Sequence, residues 1–277
     1  MAIVNVNGAD LYVEDTGGGP EAIVFSHGLL WSGRMFDAQV ARLRGRYRCV
    51  SYDHRGQGQS PTSQTPYDME TLAADAAALI EKLGIAPCHF VGLSMGGFCG
   101  MRLAIRRPEL LASLVLVDTA ADTEPKANIP KYRFLSFLTR FFGYRPVLRP
   151  IMNIMFGRPF LKDPARAGER RIMEERLLGL RDAPTRAALE AVIGREPIQG
   201  ELGKIRTPTL VLHGAEDGAI VQPRARAMAD AIPGARWTLV PRAGHTSSVE
   251  EPEAIGQAIE EFVGGLGKGA AAGLRSP

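Results

Sequence analysis

The sequence predicts an α/β fold: a mostly parallel, eight-stranded sheet with helices on both faces and an inserted helical cap. Three observations carry this. Short apolar runs recur along the chain, amphipathic helical patterns separate them, and one stretch of about 90 residues contains no strand pattern.

The first element is a hairpin. Residues Ile3 to Glu14 alternate in polarity around Asn7-Gly8, a pair that tolerates positive φ and so suits a tight turn between two antiparallel strands. After Gly17-Gly18-Gly19-Pro20 comes the apolar run Ala22 to Phe25. Similar runs stand at Cys49-Val50, His89 to Val91, Leu114 to Val117, Leu210 to Leu212 and Thr238 to Val240. Runs without alternation read as strands buried on both faces, as in a parallel sheet covered by helices. The clearest helix starts near Asp68, where Leu72, Ala76, Leu79, Ile80 and Leu83 fall on one stripe. Further helices fit residues 34–44, 95–106, 222–232 and 251–263. Alternating strands and helices imply right-handed crossovers and a ligand site beyond the carboxyl ends of the strands.

Between Asp118 and Leu210 the alternation stops. The domain reading is therefore a core at 1–121 and 198–263, a helical cap at 122–197, and a Gly/Ala-rich, unordered tail at 264–277. The cap's apolar residues include Phe134, Phe137, Phe141, Phe142, Met152, Met155 and Phe156. They either hold its helices together or line an apolar pocket. Residues 126–195 hold fifteen Lys or Arg against six Asp or Glu. This excess reads as solvated surface, with attraction of an anionic substrate as the alternative.

A net charge of +3 over 277 residues gives no case for nucleic-acid binding. No segment approaches the ~18 unbroken apolar residues of a membrane span, and Met1 to Tyr12 lacks a signal-peptide pattern. The expectation is a cytoplasmic protein without a nucleic-acid or membrane partner, its oligomeric state left open. Cys49, Cys88 and Cys99 form no C-x-x-C pair and read as buried free thiols.

The chemistry-bearing signal is Gly92-Leu93-Ser94-Met95-Gly96, placed between the strand ending at Val91 and the helix containing Phe98, Met101 and Ile105. A serine on such a sharp strand-to-helix turn is held in strained backbone angles, with small neighbours needed where chain and helix approach. The helix N-terminus then favours negative charge developing beside the hydroxyl. A serine hydroxyl is a weak nucleophile, so it needs a base and a group that orients the base. His245, after the last strand, is the candidate base. Asp217, after Leu210 to Leu212, is the candidate orienting acid, with Glu216 competing. The backbone N–H groups of Met95 and Leu29 are the candidate oxyanion donors. His27 is read as shaping the Ser26 to Leu30 loop. Leu30 and Trp31 beside that loop, and Phe137 and Phe141 from the cap, are candidate substrate contacts, with packing as the alternative. His54 and His213 have no partner at metal-ligand spacing, so no metal is expected, and Pro61 replaces the third glycine a dinucleotide loop would need after Gly56 and Gly58.

His27-Gly28, Asp53-His54-Arg55-Gly56-Gln57-Gly58-Gln59-Ser60, the serine elbow, the acid loop and the histidine loop together resemble the α/β-hydrolase superfamily over about residues 1–120 and 200–263. Within it, Gly92 to Gly97 and Asp118-Thr119-Ala120-Ala121 are similar to the 3-oxoadipate enol-lactonase group, and to arylesterases and cofactor-free haloperoxidases. The resemblance implies the same Ser94, Asp217 and His245, with Leu29 and Met95 as oxyanion donors, acting without a metal or organic cofactor. The expected activity is hydrolysis of a small to medium carboxylic ester or lactone. Carbon–carbon bond hydrolysis or perhydrolysis with the same residues is the alternative, and a non-catalytic ligand-binding protein is the rival from another class.

Overall fold

The computed structural model describes residues 1–64 and 66–272, with 267–272 described as backbone alone. Asn7 and Gly8 both take positive φ, 46° and 72°, and join β1 (Ala2–Val6) to β2 (Ala9–Asp15) in the expected hairpin. There follow β3 (Ala22–Ser26), α1 (Asp37–Leu43), β4 (Arg48–Tyr52), α2 (Met69–Lys82), β5 (Cys88–Leu93), α3 (Met95–Arg106) and β6 (Leu111–Val117). Asp68 caps α2 by accepting the Thr71 N–H at 3.0 Å, which fixes that helix's start.

The sheet has eight strands in the order β1-β2-β4-β3-β5-β6-β7-β8. β1, β2 and β4 are joined by antiparallel pairings, and every other pairing is parallel. Successive residues of β3 serve opposite faces: Val24 joins one apolar cluster with Val50, Phe90 and Val211, while Ile23 and Phe25 join the other with Val91, Val115 and Leu212. Covering both faces is why these strands read as unbroken apolar runs.

Between β6 and β7 (Thr209–Gly214) the chain leaves the sheet and forms α4 (Ile129–Phe142), α5 (Leu148–Met155), α6 (Arg158–Lys162), α7 (Ala167–Leu178) and α8 (Asp182–Ile193). It closes with α9 (Gln222–Ala231), β8 (Arg236–Val240), α10 (Ser247–Glu250) and α11 (Pro252–Ala272). α11 corrects one expectation. Residues 264–272 are helical rather than unordered, while 273–277 lie outside the described residues. Extending an existing helix costs far less than nucleating one, so even this glycine-containing stretch continues what the amphipathic turns before it began. No helix among the described residues is long and apolar enough to cross a membrane.

Candidate active site

Ser94 links β5 to α3 with φ 52° and ψ −110°, a conformation an L-residue holds only when its surroundings enforce it. The Ser94 N–H donates to Val117 O at 2.9 Å, and the Thr119 hydroxyl donates to Ser94 O at 2.9 Å. Glycine is required on both sides. A Cβ on Gly92 would collide with the Gly96 carbonyl, and one on Gly96 with the Ser26 carbonyl.

His245 lies between β8 and α10, Asp217 between β7 and α9, and the structure brings both to Ser94. His245 Nε2 stands 2.9 Å from Ser94 Oγ, and His245 Nδ1 stands 2.8 Å from Asp217 Oδ2. A carboxylate only accepts, so Nδ1 carries the proton and Nε2 presents its lone pair to the serine hydroxyl. The other Asp217 oxygen accepts the N–H groups of Ala219 and Ile220, each at 2.8 Å, which fixes the carboxylate's orientation. Burial pushes the His245 pKa down, but the Asp217 charge and hydrogen bond, with Asp118 and Glu250 behind them, leave it raised overall. Glu216, the competing acid, accepts the Arg158 N–H instead.

Two buried carboxylates that sequence reasoning assigned no role support these loops. Asp118, at the end of β6 with φ 47°, accepts the Gly214 N–H at 2.8 Å through one oxygen and the Ser247 N–H at 3.1 Å through the other. It therefore ties the strand before Asp217 to the helix after His245. Glu250 accepts the N–H groups of Gly157 and Thr246, joining the histidine loop to the start of α6. Burial raises both carboxyls, to about 7 in each case. Asp118, His213 and Asp217 could offer three ligand atoms within 4.8 Å of one another. Both carboxylates of that cluster already accept backbone N–H groups, and Asp217 also faces His245.

The loop after β3 lies beside Ser94, since a Cβ on Gly28 would stand 3.4 Å from Ser94 Cβ. His27 is fully buried, with Nδ1 2.7 Å from Gly28 O and Nε2 accepting the His54 N–H at 2.9 Å. Burial lowers its pKa, so a neutral imidazole holds the loop's shape. Met95 opens α3, where an N–H has no acceptor within the helix.

A cavity of about 130 Å³ opens over Ser94 and His245. Leu29, Leu30, Phe98 and Ile220 wall it from the sheet side, and Tyr132, Leu135, Ile151, Met155 and Leu189 from the helices between β6 and β7. Of the four residues anticipated as substrate contacts, only Leu30 lines it. Trp31 is buried edge-on against Phe156, 5.7 Å between ring centres. Phe137 and Phe141 lie outside the cavity, 56% and 60% exposed. The basic excess hardly reaches the walls. Arg195 and Arg186 are the only Lys or Arg there among the described residues, and they pair with Glu124 at 3.3 Å and Asp182 at 2.7 Å. The cysteines are free and buried, and burial pushes the Cys49 and Cys88 thiols up to about 12, far from a reactive thiolate.

Fold and site together define the class of α/β proteins that carry a serine on a strand-to-helix elbow above a mostly parallel sheet. A sequence model of the alpha/beta hydrolase fold matches residues 21–252, and the chain belongs to that family. It is 33% identical, over 91% of its length and 97% of the relative's, to a Mycobacterium tuberculosis protein whose name places it among non-heme bromoperoxidases. It is 28% identical to 3-oxoadipate enol-lactonase 2 of Acinetobacter baylyi, over 86% of this chain and 87% of that one. Other relatives bear names that place them with carbamate hydrolases. Among solved structures, a thermophilic esterase from Thermogutta terrifontis superposes with a TM-score of 0.88 at 26% identity, covering 96% of this chain and 99% of that one.

Proposed function

We propose that the protein is a serine hydrolase that cleaves small carboxylic esters or lactones through an acyl-enzyme on Ser94. The observation that carries this is the unbroken chain Ser94 Oγ, His245 Nε2, His245 Nδ1, Asp217 Oδ2, opening on an apolar cavity. As Ser94 Oγ attacks the carbonyl carbon, His245 takes its proton, and Asp217 stabilises the imidazolium. The backbone N–H groups of Leu29 and Met95 receive the developing oxyanion, each donor contributing about 3 kcal/mol in sites of this kind. His245 then gives the proton to the leaving oxygen, which breaks the ester bond. In the second half-reaction it deprotonates a water that attacks the acyl carbon, releasing the acid and restoring Ser94. No cofactor takes part in this scheme.

The helices between β6 and β7, corresponding to 122–197, act in this reading as a cap that selects the substrate. Their apolar walls favour an uncharged acyl group of aryl or short-chain size, and the paired state of Arg195 and Arg186 argues against selection by a free cation. A cytoplasmic enzyme fits this reading. The test is a fluorophosphonate probe together with a series of aryl esters of increasing acyl length. Labelling and turnover, both abolished in Ser94→Ala, support the hydrolase; an unlabelled, inactive wild type favours a non-catalytic ligand-binding protein.

A second reading keeps the same residues and lets peroxide replace water, giving a peracid that oxidises halide. The bromoperoxidase name of the relative at 33% identity favours it. Peroxide-dependent halogenation outpacing ester hydrolysis would select this reading.

A further inference from the structure

α4 presents opposite sides to two different surroundings. Tyr132, Leu135, Ser136 and Thr139 face the cavity above Ser94. Phe134, Phe137 and Phe141, spaced i, i+3 and i+7, share the other side and are 61%, 56% and 60% exposed, and Phe142 at the helix end is 66% exposed. The Phe137 and Phe141 rings lean on each other, 5.0 Å between centres, and leave their outer edges to water. Isolated exposed apolar residues are ordinary, but a contiguous aromatic stripe on one helix is a contact surface.

Along the chain segment that carries the stripe the charge is of one sign. From Pro125 to Lys162 the chain has eight Lys or Arg and no Asp or Glu. On α4 itself Lys131 and Arg140 are exposed and have no ion pair among the described residues, Arg140 lying 5.6 Å from the centre of the Phe141 ring. Arg133 pairs with Glu190 of the adjacent α8 at 2.9 Å.

We infer that the outer face of α4 docks on an anionic phospholipid surface, its phenylalanines entering the headgroup boundary while Lys131 and Arg140 meet lipid phosphates. An aromatic face rimmed by Lys and Arg is the pattern of a helix lying in a membrane interface. A second copy suits this face less well, because twofold pairing through it would set like charges opposite one another. The sequence gives no reason to expect a membrane partner because it contains no span, but docking at a surface needs none. The inference is independent of the reaction at Ser94.

The test is co-sedimentation of the full chain with vesicles of phosphatidylglycerol and phosphatidylcholine, against phosphatidylcholine alone, at low and high salt. The expected result is retention on the anionic vesicles about tenfold stronger than on the neutral ones, weakening as salt rises. The triple variant Phe134→Ser/Phe137→Ser/Phe141→Ser and the double variant Lys131→Glu/Arg140→Glu should each lose about tenfold in retention while melting cooperatively. Absence of binding to anionic vesicles overturns the inference, as does undiminished binding of either folded variant. A concentration-dependent dimer in sedimentation velocity, abolished by the triple variant, also overturns it, by assigning the face to a second copy.

Discussion

Glu216 and Asp217 are adjacent in the chain and serve different partners: the Glu216 carboxylate accepts the Arg158 N–H at 2.9 Å, while Asp217 faces the His245 Nδ1 at 2.8 Å. Consecutive side chains on the turn after β7 diverge, so only one of two acids can orient the imidazole. Asp217→Asn should therefore lower kcat by about 10⁴-fold, because an amide that donates towards Nδ1 favours the wrong tautomer. Glu216→Gln should leave kcat within about threefold, since it touches only a helix start. Steady-state hydrolysis of an aryl ester by both variants checks the assignment, and equal losses would contradict it.

The raised pKa of His245 sets the acid limb of the rate profile. Only neutral imidazole accepts the serine proton, so activity is lost as pH falls through the folded-state pKa. That limb should lie above the ordinary histidine value. In Asp217→Asn, which removes the charge that outweighs burial, the limb of the residual activity should move to lower pH. A kcat/KM profile from pH 5 to 9 decides it.

Asp118 makes a stability prediction as well as a kinetic one. Asp118→Ala leaves the buried N–H groups of Gly214 and Ser247 without their acceptor, at a cost of about 1 to 3 kcal/mol each. Both loops carry site residues, so kcat should fall more than KM rises. The pH dependence has a definite sign. With its carboxyl raised to about 7, the folded protein binds a proton here that the unfolded chain has released above the ordinary carboxylate value. The contribution of this group therefore declines as pH rises from that value to about 7 and is flat beyond. Thermal melts across this range should show a component that disappears in Asp118→Ala.

Gly96→Ala places a methyl group against the Ser26 backbone carbonyl, which cannot rotate away as a side chain could. The helix must shift, costing about 1 to 3 kcal/mol and displacing Ser94 from His245. A lowered melting temperature together with loss of fluorophosphonate labelling is the expected outcome. Normal stability and labelling would mean that the elbow tolerates a looser approach than its geometry implies.

Much of the fold was readable because strands covered on both faces leave continuous apolar runs, as at Ala22 to Phe25 within β3 and Leu114 to Val117 within β6, and because Asp68 caps α2 where the helical stripe begins. The elbow was readable because Gly92 and Gly96 have a steric reason that is local in sequence. The pocket walls were not. Aromatic content in α4 marks an amphipathic helix without saying which side turns inward, and the inward side proved to be Tyr132, Leu135, Ser136 and Thr139 rather than Phe137 and Phe141. Asp118 and Glu250 escaped for a different reason. Their partners are backbone N–H groups up to 129 residues away, which leave no trace in local pattern, although an acid directly after a buried strand was an available hint.

The excursion of α4 to α8 leaves from one strand and returns to the strand hydrogen-bonded beside it, with Leu114 paired to Thr209 and Val117 to Leu212. Both attachment points are fixed by the ladder itself rather than by what lies between them. Under the proposed role of these helices as a cap, a segment of different length or composition joined at the same two points leaves strand register intact and gives selectivity room to diverge, provided it keeps a donor for Glu250 where the Gly157 N–H now stands.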